Sequence, residues 1–424
     1  MTDSSTLQPP AVLYNGDCSP PASKHLRIAL YSHDTMGLGH KRRNLLIAQA
    51  LRQALPHSSV LLISGMAEAS DGNLPDGIDY LTLPAWQKTA EGEYQSRRLG
   101  LSVEDLRLLR AKTIRAALKA FKPDVFIVDN VPRGAMQELD LALELLRRRP
   151  TRCILGLRDI LDAPQTVRRQ WRQAKNIPAI RRYFDGIWVY GDPTVYNLEA
   201  TYRFPADIAA KIRYVGYLDA QARLDVAAAS PSPVPKPPFA LAMVGGGQDG
   251  VALAKAFAQS AFPPGWQGIL ITGPLMPQAH RQALHHLAAQ RTNLTVLESH
   301  PEPTQLLAQA SAVVSMGGYN TTCEILALGT PALIVPRTQP RREQWIRAQR
   351  LHHLGLVDVL APDNLSAPAI TTWLNTVTHQ RPSQRPIARH CIDLNGLKRI
   401  PQYINQLMAR AEQDRSSHYP LKAV

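Results

Sequence analysis

Ser315-Met316-Gly317-Gly318-Tyr319-Asn320-Thr321-Thr322-Cys323-Glu324 runs directly into Ile325-Leu326-Ala327-Leu328-Gly329-Thr330-Pro331-Ala332-Leu333-Ile334-Val335-Pro336. An apolar strand, Ala312 to Ser315, meets two glycines, a helix opens with threonines, an acid sits on its first turn, and Thr330-Pro331 restarts a strand. A strand, glycine turn and helix present unpaired backbone N–H groups and a positive dipole end to an anion, which suits a diphosphate. A carboxylate a turn into that helix can accept hydrogen bonds from two neighbouring hydroxyls, as when a sugar or ribose is held. Gly317, Gly318, Asn320, Thr321 and Glu324 are therefore candidates for a nucleotide-sugar site, with Glu324 as the ribose anchor. A purely structural reading competes, because glycine turns also arise for steric reasons and an early Glu also serves a helix dipole.

Outward from this stretch, apolar strand-like runs alternate with helical spacing, the pattern of parallel sheets covered on both faces. The first half predicts strands at Leu26 to Ser32, Val60 to Ser64, Val125 to Asp129, Cys153 to Leu157, Gly186 to Tyr190 and Arg213 to Tyr217. The second half predicts them at Phe239 to Val244, Ile269 to Thr272, Leu294 to Leu297, Ala312 to Ser315, Ala332 to Val335 and Val357 to Leu360. Helical spacing covers 103–121 and Met136 to Leu146. Residues 219–238 turn to alanine, serine and proline, a composition that neither helix nor sheet tolerates. The expected organisation is a disordered tail over 1–25, an acceptor-side domain over 26–218, this linker, a donor domain over 239–395, and a helical segment over 396–424 returning to the first domain. The fold class is α/β, two doubly wound Rossmann-like domains facing a cleft at the carboxyl ends of their strands.

A chain of 424 residues with 45% hydrophobic content can fill two cores. No run approaches the roughly 18 apolar residues of a membrane helix, and the polar, proline-bearing start lacks the features of a secretory signal. Four scattered cysteines, Cys18, Cys153, Cys323 and Cys391, form neither a disulfide framework nor metal-ligand spacing, so a reducing cytoplasm is expected. The net charge of +14 divides between 1–218, with 30 Lys/Arg against 22 Asp/Glu, and the remainder, with 18 against 12. Basic clusters at Lys41-Arg42-Arg43, Arg147-Arg148-Arg149 and around Trp171 (Arg168, Arg169, Arg172, Lys175, Arg181, Arg182) lie in the first half. They are either solvated faces or a surface for an anionic membrane or phosphorylated acceptor, with Trp171 as an interfacial anchor.

Two further loops follow predicted strands. Gly37-Leu38-Gly39-His40-Lys41 lets backbone approach a ligand and sets His40 and Lys41 where a helix begins. Gly245-Gly246-Gly247-Gln248-Asp249-Gly250 forms a nest of N–H groups suited to phosphate oxygens. Its spacing matches neither the dinucleotide fingerprint nor a P-loop, which would need Lys-Ser/Thr. Asp129 and Asp159 close predicted strands, where α/β enzymes keep working residues and where helix capping is also common.

These strings resemble the donor-site signature of GT-B glycosyltransferases of family 28, the type that makes the lipid-linked peptidoglycan precursor. The resemblance covers about 245–360 and 26–45, and includes Arg341-Arg342-Glu343-Gln344-Trp345-Ile346-Arg347-Ala348. It implies that Gly245, Gly246, Gly247 and Gln248 contact the donor diphosphate, that Glu343 and Gln344 grip donor-sugar hydroxyls, and that His40 lies beside the reaction centre. Met36 and Asn44 depart from the pattern, where glycine and proline are usual. The implied activity is inverting transfer of a hexose or N-acetylhexosamine from a nucleotide-diphosphate sugar, UDP-linked by that resemblance, to an unidentified acceptor that is lipid-linked in the family. No cofactor and no metal are expected, the nucleotide sugar being substrate. His40 is the first choice of base because imidazole titrates near neutral pH, followed by Asp129 and Asp159. The expected place is cytoplasmic, at the inner face of the membrane. A nucleotide-sugar epimerase of similar fold is the alternative. A nucleic-acid-binding role would rest on charge alone, without a motif or interleaved aromatics, and no nucleic-acid partner is expected.

Overall fold

The computed structural model describes residues 25–33, 39–65, 74–89, 93–219, 221, 224, 238–379 and 391–418. The tail 1–24, Gly37 and most of the expected linker lie outside the described residues.

Two parallel sheets organise the chain. The first contains β1 (Leu26–Ser32), β2 (Ser58–Ser64), β3 (Ile78–Thr82), β6 (Val125–Asp129), β7 (Arg152–Arg158), β8 (Gly186–Tyr190) and β9 (Ile212–Tyr214), in the order β3-β2-β1-β6-β7-β8-β9. A small antiparallel pair, β4 (Trp86–Lys88) and β5 (Tyr94–Ser96), stands beside it. The second sheet contains β10 (Phe239–Met243), β11 (Gln267–Ile271), β12 (Leu294–Leu297), β13 (Ala312–Ser315), β14 (Ala332–Ile334) and β15 (Asp358–Val359), in the order β12-β11-β10-β13-β14-β15. Central strands such as β6 and β10 are buried at every position, because helices cover both faces of a parallel sheet and leave no polar side.

In each sheet the winding reverses once. β1 lies between β2 and β6, and β10 lies between β11 and β13, so a crevice opens at the carboxyl ends of β1 and β6 and another at those of β10 and β13. Loops leaving the two strands of such a pair go to opposite faces, which is where α/β proteins hold ligands.

Local chemistry explains the helices that frame these crevices. The helix Val103–Phe121 is capped by Ser102, whose hydroxyl accepts from the Asp105 N–H at 3.1 Å, and it buries Leu106, Arg110, Ile114 and Leu118 along one stripe. The expected helix from Met136 to Leu146 is broken: a short turn, Ala135–Gln137, with Met136 and Gln137 at positive φ, precedes the helix Asp140–Leu146. The break carries Glu138 into the core, where its carboxylate accepts from Trp86 Nε1 at 2.9 Å, from Arg110 and from Tyr31. Strand β3 escaped the sequence reading because it is an edge strand with polar exposed positions, and the expected strand Arg213 to Tyr217 shortens to β9.

The chain ends by recrossing the domain boundary. Tyr217 donates its N–H to the Asp393 carbonyl at 2.8 Å, and the helix Gly396–His418 then packs on the helix Gly39–Ala54. Leu397, Ile400 and Ile404 are buried there, and the Tyr403 ring lies 6.1 Å from Trp188 of β8.

Candidate functional site

In the first crevice, His40 stands at the start of the helix that follows β1, and Asp129 closes β6. His40 Nδ1 is 2.5 Å from Asp129 Oδ2. A carboxylate only accepts, so Nδ1–H is the donor, and the arrangement leaves Nε2 able to take a proton. Arg43, one turn along the same helix, places Nε 3.1 Å from Asp129 Oδ1 and Nη2 2.6 Å from Oδ2. Burial pushes the Asp129 carboxyl up, but Arg43 and then His40 outweigh it and hold the group far below the usual carboxylate range. Asp129 is thus a fixed anion that orients His40, and it is too acidic to serve as a base near neutrality. His40 keeps 18% of its side chain in solvent, whereas Asp129 has none.

The second crevice gathers both glycine loops around a cavity of about 150 Å³ lined by Gly245, Gly246, Gly247, Gln248, Gly317, Gly318, Thr321, Arg337 and Gln344, among others. Gly318 caps the helix Tyr319–Leu328, whose first free N–H groups face the loop region. Gly247 has φ 96°, and a Cβ there would sit 2.3 Å from the Thr272 carbonyl, so only glycine allows this turn to nest against the next loop. The loop also uses its own carbonyl: Leu275 N–H donates to Gly246 O at 2.8 Å.

Several contacts join the crevices. Asn320 Nδ2 donates to the Gly39 carbonyl at 2.9 Å, setting the start of the second-domain helix beside His40. Arg342 N–H donates to Asp162 Oδ1 at 2.9 Å. Arg347 holds Asp159 in a buried ion pair, and Tyr319 lies between Arg43 and Arg347, with cation-to-ring distances of 5.3 and 5.7 Å.

The structure thus brings eight of the eleven donor candidates around one cavity. The other three stand nearby with different partners. Asn320 faces Gly39. Glu324 belongs to the second helical turn, not the first, and is 2% exposed, 3.8 Å from Arg42 and 3.4 Å from the Thr304 hydroxyl. Glu343 is 3% exposed and accepts from Arg337 at 3.0 Å. Burial raises its carboxyl, yet Arg158, Arg337 and Arg347 together hold it below its ordinary value. Gln344 Oε1 accepts from the Arg337 backbone N–H at 3.1 Å.

Other expectations are corrected by geometry. Lys41, expected in a phosphate loop, is 2% exposed and lies 4.5 Å over the Tyr80 ring, because its helix turns that face toward the sheet edge. Asp159 is enclosed by Arg347, by the Tyr217 hydroxyl at 3.0 Å and by the Ile160 N–H, so its oxygens are occupied. Trp171 is 9% exposed and stacks on Phe204 at 4.9 Å, which removes it as an interfacial anchor. Arg147, Arg149, Arg152, Arg181, Arg182 and Lys211 line a concavity of about 680 Å³ at the amino ends of β7 and β8. That is the sheet edge opposite Asp129 and Asp159, on the order of 20 Å away for a strand of β7's length. Among the described residues no group of three His, Cys, Asp or Glu is placed to hold a metal ion, and no helix is long and apolar enough to cross a membrane. Sequence reasoning missed Arg43 and Arg347, whose roles depend on contacts made 86 and 188 residues away.

Comparison with known proteins agrees with this architecture. Residues 242–395 match the Glycosyltransferase family 28 C-terminal domain. The UDP-N-acetylglucosamine--N-acetylmuramyl-(pentapeptide) pyrophosphoryl-undecaprenol N-acetylglucosamine transferase of Histophilus somni is 30% identical over 104 residues, 23% of this chain and 28% of that protein. The alignment therefore spans little more than a quarter of the curated relative's length. Acinetobacter baumannii MurG superposes with a TM-score of 0.55 at 16% identity, over 90% of this chain and 99% of that one. The UDP-GlcNAc 2-epimerase from Neisseria meningitidis bound to UDP-GlcNAc superposes with a TM-score of 0.58 at 14% identity, over 91% and 99%. The fold is GT-B, two Rossmann-like domains about a central cleft, and its second domain carries the family 28 signature.

Proposed function

We propose that this protein is an inverting glycosyltransferase that moves a hexose or N-acetylhexosamine from a nucleotide-diphosphate sugar, UDP-linked, to an acceptor hydroxyl. The observation that carries this reading is the convergence of two glycine loops and a helix amino end on one cavity, directly across the Asn320–Gly39 contact from the His40–Asp129 pair. Loop N–H groups and the helix end bind the diphosphate, Glu324 anchors the ribose, and Glu343 with Gln344 meets the sugar hydroxyls. The acceptor oxygen attacks the anomeric carbon while its proton passes to His40 Nε2. The bond from that carbon to the diphosphate oxygen breaks, and its electron pair leaves with the nucleotide. Asp129 keeps the imidazole in the required tautomer, and Arg43 holds Asp129 ionised. Asp159, named as a third candidate base, instead ties the domains together.

A lipid-linked acceptor reached from the cytoplasmic face of a membrane belongs to the same proposal. Its support is the acceptor in the relatives' names, a pyrophosphoryl-undecaprenol, and the net charge of +14.

Parallel titrations with UDP, UDP-GlcNAc and GDP-mannose, followed by incubation with the bound sugar nucleotide, test the reading. UDP-selective binding with slow hydrolysis in the absence of acceptor is the expected result. Failure to bind any of the three overturns it, and an isomerised sugar formed without acceptor would make the protein an epimerase. Within that assay Glu324→Gln should weaken UDP binding by about 1.5–3 kcal/mol, the worth of a charge-assisted hydrogen bond. Unchanged affinity would remove Glu324 from the site.

A further inference from the structure

Arg158 is the last residue of β7, next to Asp159, and it faces the boundary between the two domains. Its Nε is enclosed with no hydrogen-bond partner among the described residues. Asp159 is engaged by Arg347 and Asp129 by Arg43 and His40, while Glu343, the one carboxylate that offsets the like charges around Arg158, gives Oε1 to Arg337. Burial lowers the Arg158 guanidinium, Arg43 lowers it further, Glu343 opposes, and Arg347 and Arg341 add to the depression, bringing it to about 10. A half-buried guanidinium crowded by like charges is stabilised when an anion joins it.

A second unsatisfied atom faces the same region. Glu343 Oε2 is buried without a hydrogen-bond partner among the described residues. Its other oxygen holds Arg337, and Arg337 and Gln344 line the glycine cavity. An orphaned donor on the first domain and an orphaned acceptor on the second thus act on each other across the domain boundary. A ligand that serves both must accept and donate hydrogen bonds, as a sugar diphosphate does through its phosphate oxygens and its hydroxyls.

We infer that Arg158 grips the donor's diphosphate from the first domain while the glycine loops hold it from the second. The inference rests on the nucleotide-sugar reading above and extends it to a residue outside the donor domain. As the anomeric C–O bond breaks, the electron pair and the negative charge pass to the diphosphate, and Arg158 receives that charge at a position fixed before the reaction.

Calorimetric titration of the full chain with UDP and with inorganic pyrophosphate, for wild type, Arg158→Gln and Arg158→Lys, tests this, with thermal unfolding recorded beside it. Arg158→Gln should weaken both ligands on the order of 10- to 100-fold, and Arg158→Lys should recover part of the loss. The Tm of Arg158→Gln should stay close to that of wild type, because Arg158 Nε has no hydrogen-bond partner among the described residues. Wild-type affinity for both ligands in Arg158→Gln overturns the inference, and a lowered Tm with unchanged affinity assigns Arg158 a structural role instead. A loss for pyrophosphate with full UDP affinity moves the anion to the acceptor and overturns the donor assignment. Binding of pyrophosphate through Arg158 with no binding of UDP supports the anion site and overturns the nucleotide-sugar reading on which the inference rests.

Discussion

Arg347 of the second domain holds Asp159 of the first through two hydrogen bonds, 2.8 Å from Nε and 2.7 Å from Nη2, and each side chain is 1% exposed. Arg347 also donates to the Gly317 carbonyl at 3.1 Å, so one guanidinium ties the interface to the glycine turn of the candidate donor site. Desolvation of such a pair consumes much of its Coulombic gain, and its effect on the molecule is chiefly to define one relative placement of the domains.

Removing one partner leaves a buried charge alone. Asp159→Asn should therefore destabilise the protein by about 3–5 kcal/mol, read as a shift in the urea midpoint. A loss below about 1 kcal/mol would show that water reaches the pair and that the domains part readily.

His40→Ala should lower turnover by about 100- to 10,000-fold, the usual worth of a general base, and leave UDP affinity within error. Wild-type turnover in a folded His40→Ala protein would exclude the imidazole from the chemistry.

The Asp129 carboxyl titrates lower in the folded protein than in the unfolded chain, because Arg43 and His40 favour its charged form. The folded state then binds fewer protons, so its stabilisation is complete above the ordinary carboxylate value, about 4, and is lost as pH falls through and below it. Urea unfolding between pH 6 and 2 should show this decline, and Asp129→Asn should be less stable at pH 6 with a shallower dependence on acid. Parallel pH curves for the two proteins would contradict it.

Burial pushes the Cys323 thiol up to about 12, and it raises Cys153 as well, whereas Cys391 is exposed. Since the thiolate is the reactive form, a thiol reagent at pH 8 should label Cys391 within minutes and reach Cys153 and Cys323 only in denaturant. Rapid labelling of Cys323 would mean that the interface beside Tyr319 opens.

Flotation with anionic liposomes tests the membrane part of the proposal. Binding at low ionic strength that salt removes is expected, with about 1 kcal/mol from each basic residue near the surface. Trp171→Phe should leave it unchanged, since that ring stacks inside the domain on Phe204. No flotation at low salt would leave the basic concavity as a solvated face.

The sheets were legible because buried parallel strands are apolar throughout, so Val125–Asp129 and Phe239–Met243 stand out from their surroundings. β3 was not, since Ile78–Thr82 lies at the sheet edge, exposes Asp79 and Thr82 and buries only Ile78. Gly247 and Gly317 were legible for a related reason: each stands at positive φ where a Cβ would meet Thr272 or Ile334, so the backbone tolerates little else and sequence records that demand locally. Lys41 and Asp159 were misplaced because their direction depends on distant partners, Tyr80 and Arg347, which no local pattern reveals. The Glu324 role was shifted by one helical turn, since the helix starts at Tyr319 and not at the threonines.

The return of the helix Gly396–His418 to the first domain has a bearing on how the protein is made. The sheet of that domain is complete at Tyr214, yet Ile400 and Ile404, which close its flank beside Trp188, are encoded some 190 codons later. At about 5–20 residues per second the ribosome needs roughly 10 to 40 s to deliver them. During that interval the earliest-translated domain carries an uncovered apolar flank, a surface that chaperones recognise. A premature stop before codon 400 should consequently damage the first half of the protein, while the second half folds around its own finished sheet.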